Sequence, residues 1–179
     1  MEHPAAPSWR DLVLDVPDWP APGVLFKDIT PLLADPVALD GVVDALADRW
    51  RGEVDVVAGV EARGFLLGTP LALRLGVGFV PLRKQGKLPR ATRSAAYALE
   101  YGEAVLEVHA DAVAPGARVL VVDDVLATGG TAAAALQLVT ATGGVAAGLA
   151  VLMELTALGG RAAVAAAAPG APVSALLEW

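Results

Sequence analysis

Two carboxylates stand side by side in "VLVVDDVLATGGT", Val119 to Thr131, at the end of an apolar run and just ahead of a glycine turn flanked by threonines. Ionised carboxylates only accept hydrogen bonds, so Asp123 and Asp124 suit a partner made of donors, and the vicinal hydroxyls of a ribose supply two. Each such charge-assisted bond is worth about 1.5–3 kcal/mol. The segment Ala127, Thr128, Gly129, Gly130 and Thr131 has a different chemistry. A helix beginning near Thr131 has first amides without intrahelical acceptors and a dipole that is positive at that end, so an anion is favoured there. Glycines let the backbone wrap closely around it, and the threonines add hydroxyl donors. A Walker-type phosphate loop is excluded, because no Lys-Ser or Lys-Thr follows the glycines. The stretch therefore specifies a sugar carrying a phosphate. The plainer alternative is a strand-to-helix turn capped by acids and threonines; an apolar strand, paired acids and a glycine turn in one register weigh against it.

These residues need a scaffold that delivers a strand end, and the rest of the chain reads as one. Asp35-Pro36 is an N-cap followed by proline at the first helical position, and Leu39, Val42, Val43, Leu46 and Trp50 recur at helical spacing, ending near Gly52. "VDVVAG" from Val54 is a short β-branched run without alternation, as expected of a strand buried on both faces of a parallel sheet. "RGFLLGTPLALRLG" reads as a helix entered through a glycine loop, with Pro70 expected to kink or restart it. "VGFVPL" is the next strand. "RKQGKLPRATRSAAYALEYGEAVLEV" begins polar and basic and alternates from about Tyr97, which predicts a long loop returning through a hairpin. "ARVLVVDD" is a buried strand, "GGTAAAALQLVTAT" a helix and "VAAGLAVLMEL" a further strand. The tail reads as a short helix, a turn at Pro169-Gly170 and an edge strand. That order implies an α/β fold with a largely parallel sheet, in a single domain over residues 1–179. Ligands of such sheets bind at the carboxyl ends of the strands, where the paired acids are expected to stand.

Composition removes several function classes. The chain of 179 residues has no cysteine, and its two histidines, His3 and His109, are far apart, which excludes a disulfide framework and speaks against thiolate or histidine metal centres. The formal charge of −7 argues against nonspecific nucleic-acid binding. No charged residue occurs from Val125 to Met153. Its threonines, Gln137, Gly-Gly pairs and alanines read as a soluble helix and a buried strand rather than a membrane span. The N-terminus has early acids, several prolines and no apolar core of a signal peptide, so the expected location is cytoplasmic, without a membrane partner.

The match "VVDDVLATGGT" resembles the phosphoribosyl-pyrophosphate loop of the type I phosphoribosyltransferases. "DVPDWPAPGVLFKDITPLL" (Asp15 to Leu33), "GVEARGFLLG" (Gly59 to Gly68) and "FVPLRKQGKLP" with "YALEYG" are similar to the adenine phosphoribosyltransferases within that family, so the likeness runs from about Asp15 to Gly160. Trp19 stands where the family usually has phenylalanine, and "PRATRSAAYALEYG" is richer in alanine and basic residues than the usual hood.

The resemblance implies the type I phosphoribosyltransferase fold, a central mostly parallel sheet flanked by helices. Residues 1–34 would form part of the purine pocket and residues 83–102 a mobile catalytic hood. It implies transfer of the phosphoribosyl group from phosphoribosyl pyrophosphate to adenine, giving AMP and pyrophosphate. A 6-oxopurine acceptor and a noncatalytic phosphoribosyl-pyrophosphate sensor are the alternatives. Asp123 and Asp124 would hold the ribose hydroxyls, and Ala127, Thr128, Gly129, Gly130 and Thr131 the 5′-phosphate. Glu61, Ala62 and Arg63 would meet pyrophosphate, with Arg83, Lys84 and Lys87. Six of the thirteen basic residues, Arg63, Arg83, Lys84, Lys87, Arg90 and Arg93, fall in these two segments of an acidic chain. Such focusing suits a pyrophosphate leaving group, although a solvated basic loop has the same composition. By the resemblance Phe26 stacks on the purine, the backbone at Leu25 and Lys27 reads its amine-bearing edge, and Arg63 lies between purine and pyrophosphate; the residues alone also allow Phe26 as a buried staple. Glu100 matches the acid/base residue, which the residues alone do not separate from Glu103 or Glu107. Mg²⁺ is implied as an ion carried by the substrate, without a protein metal site, and a homodimer is expected in which a basic residue at the Arg83 position reaches the neighbouring site.

Overall fold

A computed structural model describes residues 8–98 and 103–179. The chain divides into two compact units, residues 1–42 and 43–179, with the boundary inside one helix. In the first unit a 3-10 turn at Trp9–Leu12 precedes a two-stranded antiparallel ribbon, β1 (Leu14–Pro17) and β2 (Leu25–Asp28), in the register Leu14↔Asp28 and Pro17↔Leu25. The tight connection turns at Asp18, whose φ is 58° and whose Oδ1 accepts the Gly23 amide at 2.7 Å. A short helix α1 (Thr30–Ala34) follows. The ribbon is not legible in the sequence, which offers no strand signal over this proline-rich segment.

Helix α2 (Pro36–Trp50) starts as expected. Asp35 Oδ1 accepts the Val37 and Ala38 amides at 2.9 and 3.0 Å, satisfying donors that the first turn leaves without partners. At its other end Trp50 is buried, donates from its indole to Ser174 Oγ at 2.9 Å, and lies over Gly148, where any Cβ would meet the ring at 2.2 Å.

The second unit is built on a seven-stranded sheet in the order β5-β6-β4-β3-β7-β8-β9. β3 (Val56–Val60), β4 (Gly78–Lys84), β7 (Arg118–Leu126), β8 (Val145–Glu154) and β9 (Val173–Glu178) are parallel neighbours. β5 (Thr92–Ala98) and β6 (Glu103–His109) form the expected hairpin, whose β6 pairs antiparallel with the end of β4 through Arg83↔Glu107. The central strands are covered on both faces. Ala58, Val60, Val119, Val121, Leu149 and Val151 join one cluster with the buried alanines and leucines of α4 (Gly130–Ala141), on which α5 (Gly160–Ala167) packs. The alternate residues Val57, Leu120, Val122, Ala150 and Leu152 are equally buried, and α3 (Arg63–Leu75) lies against that face through Gly68, close to Val57 and Phe79. The charge-free stretch is accordingly α4 and β8, and no described helix is long and apolar enough to cross a membrane.

Two expectations need correction. Pro70 does not restart its helix: α3 runs unbroken from Arg63 to Leu75, because one proline forfeits a single backbone bond while Leu67 and Leu71, both fully buried, hold the flanking turns in place. The paired acids are not the end of their strand either. β7 continues to Leu126, because β8 goes on pairing with it through Leu126↔Glu154, whereas the ladder with β3 stops at Gly59↔Val122.

Candidate active site

That unequal ladder creates the site. Beyond Val122 the β3 side of β7 has no strand beside it, and the first turn of α3 closes in instead. Gly64 allows this approach: a Cβ there would lie 2.6 Å from the Val122 carbonyl oxygen and 3.1 Å from Asp123 Cα. The contact brings Arg63 over the acids, with its Nε 2.9 Å from Asp124 Oδ2. Asp124 is 3% exposed at its side chain, while Arg63 is about one-third exposed. Asp123 is half-buried, and its Oδ1 accepts the Asp124 amide at 2.9 Å. Burial pushes the Asp123 carboxyl well above its ordinary range, and the neighbouring Asp124 charge adds to the rise. Burial also raises Asp124, against the opposing pull of Arg63. Two carboxyls held this way gain from any partner that brings donors or positive charge.

The turn after β7 has the geometry that the sequence reading asks of an anion receptor. Gly129 is the N-cap of α4 with φ 86°, a left-handed conformation that favours glycine, and its carbonyl accepts the first helical amide, from Ala133, at 2.8 Å. The amides of Gly130, Thr131 and Ala132 precede the first intrahelical bond, so they are donors for a ligand. A cavity of about 220 Å³ is bounded by Asp123, Asp124, the whole of Ala127 to Thr131, and Glu61, Ala62 and Arg63. The structure thus brings together the paired acids, the glycine turn and the Glu61–Arg63 segment, the three stretches for which the sequence reading expects sugar, phosphate and pyrophosphate. Tyr97, on β5, also contributes to the wall, a residue for which the sequence offers only its place at the start of the alternating segment.

The remaining basic residues stand outside that wall. Arg83 and Lys84 end β4, and Lys87 follows in a turn. Arg83 Nε donates to Glu61 Oε2 at 3.1 Å, the Lys84 amide donates to the same oxygen at 2.9 Å, and Arg83 also reaches the Lys87 carbonyl at 3.4 Å. Burial works to raise Glu61, but the Lys84 amide and the Arg83 guanidinium outweigh it and hold the carboxyl below its ordinary range. Glu107, itself buried, accepts the Gly86 amide at 2.9 Å and ties the same turn from the β6 side. The peptide between Glu61 and Ala62 is cis. Through its hydrogen bonds from Arg83 and the Lys84 amide, the Glu61 carboxylate anchors the Arg83–Lys84 end of β4, a role that the sequence reading did not provide.

In the first unit β2 presents Leu25, Phe26 and Lys27 in succession. Leu25 is half-exposed. Phe26 meets Trp19 edge-on with ring centroids 4.4 Å apart, and Lys27 is paired with Asp15. Trp19 remains 51% exposed, so this is a partly open aromatic corner rather than a sealed staple. Glu100 lies outside the described residues. Among the described residues no group of three or more acidic or histidine side chains is arranged to hold a metal.

Comparison with known proteins gives this geometry a context. The family model "Phosphoribosyl transferase domain" matches residues 30–164. A Streptomyces galbus protein named adenine phosphoribosyltransferase is 60% identical over 167 residues, covering 93% of this chain and 92% of that one. One of the same name from Streptomyces coelicolor is 61% identical, covering 92% and 91%. Among solved structures, the adenine phosphoribosyltransferase of Thermoanaerobacter pseudethanolicus is similar with a TM-score of 0.90 and 47% identity, over 96% of this chain and 98% of that one. The Saccharomyces cerevisiae enzyme, solved with an imino-altritol bisphosphate and adenine, gives a TM-score of 0.88 at 38% identity, over 94% and 96%.

Proposed function

We infer that this chain, which belongs to the phosphoribosyl transferase family, transfers the 5-phosphoribosyl group of phosphoribosyl pyrophosphate to adenine, releasing AMP and pyrophosphate. The observation that carries the reading is the cavity in which paired carboxyls, a glycine-capped helix start and the Glu61–Arg63 corner meet at the carboxyl ends of β3 and β7. The relatives reported above support adenine as the acceptor.

In this reading Asp123 and Asp124 accept hydrogen bonds from the two ribose hydroxyls, and the amides and hydroxyls of Ala127 to Thr131 receive the 5′-phosphate. The sugar is then held at both ends, so its C1′ has a defined place. The Glu61–Ala62 backbone and Arg63 face the pyrophosphate, and Arg83, Lys84 and Lys87 add positive charge. Arg83 exchanges its Glu61 partner for the incoming anion. As the C1′–oxygen bond breaks, its electron pair leaves with pyrophosphate, and N9 of adenine forms the new bond to C1′. The N9 proton passes to the Glu100 carboxylate. Residues 83–102 close over the reactants and exclude water that would otherwise capture the sugar cation. Phe26 stacks on the purine, while the backbone of Leu25 and Lys27 reads the edge bearing the amine.

Mg²⁺ belongs to this reading as an ion that arrives on the substrate and neutralises pyrophosphate charge. The residues present suit that form: Asp123 Oδ1 accepts an amide and Asp124 pairs with Arg63, so the two carboxyls would hold the ribose hydroxyls of the magnesium-bearing substrate, and the ion would supply charge neutralisation to the pyrophosphate. A homodimer is also part of the reading, supported by Leu66 and Leu73, which are 50% and 78% exposed two turns apart on α3. Phosphoribosyl pyrophosphate, AMP and pyrophosphate are polyanions that do not cross a bilayer unaided, which supports a cytoplasmic location for the reaction.

The test offers adenine, hypoxanthine, guanine and xanthine separately with phosphoribosyl pyrophosphate and follows pyrophosphate release. Rapid release with adenine alone is expected. Preference for an oxopurine, or no release with any base, would refute the assignment.

A further inference from the structure

The loop that receives the 5′-phosphate has a second contact surface that does not line the cavity. A Cβ built on Gly160, the first residue of α5, would lie 2.4 Å from the Ala127 carbonyl oxygen and 2.8 Å from Leu126 Cδ1. From the opposite side, a Cβ on Gly129 would lie 2.5 Å from the Gly160 carbonyl oxygen and 2.8 Å from Ala163 Cβ. Two stretches of backbone therefore touch with no side chain between them, one of them the phosphate loop and the other the start of a helix.

That helix start is itself tied down. Arg161 Nε donates to both carboxylate oxygens of Glu154, at 3.0 and 2.8 Å, and a second guanidinium nitrogen reaches the Val173 carbonyl at 3.3 Å. Glu154 is 3% exposed and sits opposite Leu126 in the β7–β8 ladder, and the Leu155 amide donates to the Leu126 carbonyl at 2.9 Å. The entrance to the loop and the residue packed against it are thus both fixed to the end of β8.

We propose that Gly160 is a positioning residue for the 5′-phosphate: its backbone presses the Ala127–Gly129 segment into the shape in which its amides converge, and the Glu154–Arg161 pair keeps Gly160 in place. A glycine-rich loop alone samples many conformations, while an anion receptor loses its advantage when its donors wander. The close contact removes that freedom without placing any group in the cavity. This inference rests on the phosphate-loop assignment made above.

Calorimetric titrations with ribose 5-phosphate and, separately, with pyrophosphate test it on the wild type, Gly160→Ala, Arg161→Gln, Arg161→Lys and Thr131→Val, with thermal denaturation alongside. Gly160→Ala is expected to weaken ribose 5-phosphate at least tenfold and to change pyrophosphate affinity by less than twofold. In turnover, KM for phosphoribosyl pyrophosphate rises at least tenfold while kcat falls by less than threefold. Arg161→Gln weakens ribose 5-phosphate threefold or more, and Arg161→Lys restores it to within twofold of wild type. Should Gly160→Ala not fold, the Arg161 pair of variants decides the matter by the same readout. Equal weakening of both ligands, or no weakening of ribose 5-phosphate, overturns the inference. Thr131→Val separates the two levels. If it loses ribose 5-phosphate while Gly160→Ala does not, the positioning role falls and the phosphate loop stands; if neither loses it, both fall.

Discussion

Replacing Asp123 with asparagine keeps the shape of the side chain and removes its charge. One oxygen, Oδ1, already accepts the Asp124 amide at 2.9 Å, which leaves one for a ribose hydroxyl. With the carboxyl ionised against the ribose hydroxyl, a hydrogen bond to a charged group contributes about 1.5–3 kcal/mol and a neutral one about 0.5–1.5 kcal/mol, so the variant gives up roughly 1–2 kcal/mol. At about 1.4 kcal/mol per factor of ten, KM for phosphoribosyl pyrophosphate should rise about 5–30-fold, as should Kd for ribose 5-phosphate. Stability moves the other way. Burial raises the Asp123 carboxyl well above its ordinary 3.8 in the folded chain. Below that value both states hold the proton. As pH rises the unfolded chain ionises first, so the ligand-free protein loses stability from about pH 4 up to the raised folded value. Asparagine removes that loss. The variant should therefore melt at or above the wild-type temperature at pH 7, with the gap closing as pH falls towards 4. Initial-rate kinetics and melting curves across this range supply the check. A KM change below twofold, or a stability gap that widens on acidification, would refute the reasoning.

Other perturbations have equally definite outcomes. Gly64→Ala places a methyl 2.6 Å from the Val122 carbonyl oxygen, a backbone atom with nowhere to swing. It should lower stability by about 1–3 kcal/mol and, by shifting Asp123, cut kcat/KM at least tenfold; denaturation and kinetics that match wild type would contradict this. Glu100→Gln should reduce turnover by about 10²–10⁴-fold while sparing ribose 5-phosphate affinity, and unchanged turnover would reject the proton-accepting role. Arg118 hydrogen bonds hold Asp55 down to about 2, so that pair supports the fold above the ordinary carboxylate value of 3.8 and stops doing so as pH falls through about 2. In Arg118→Gln the acid unfolding curve should flatten between pH 4 and 2, and an unaltered curve would discount the pair.

The buried strands were legible because their apolar runs need no partner to be recognised: Val57, Val121 and Val151 come from segments that read as parallel strands before any pairing is known. The ribbon of β1 and β2 was not, since Asp15, Pro17 and Asp18 carry weak local strand preference and the pairing of Leu14 with Asp28 comes from a partner ten or more residues away. The same reason explains the misplaced end of β7. Two adjacent acids look like a terminus locally, but the hydrogen bonds that prolong the strand are supplied by β8. Within the site, Asp123, Asp124 and Ala127 to Thr131 could be named because their chemistry is local and contiguous. Tyr97, the Glu61 carboxylate with Arg83, and Gly160 against Ala127 depend on how distant elements meet, and no spacing along the chain encodes that meeting.

The ion pairs around the cleft have a kinetic consequence. Arg63 faces Asp124 and Arg83 faces Glu61, so two guanidinium groups there are already counterbalanced in a chain of formal charge −7. A polyanion approaching from bulk solution meets little net attraction beyond the Debye length of about 8 Å at physiological ionic strength. Capture then proceeds by swapping partners at contact rather than by steering from afar. The on-rate for the phosphorylated sugar should consequently be modest and respond weakly to added salt, leaving residence time to set the affinity.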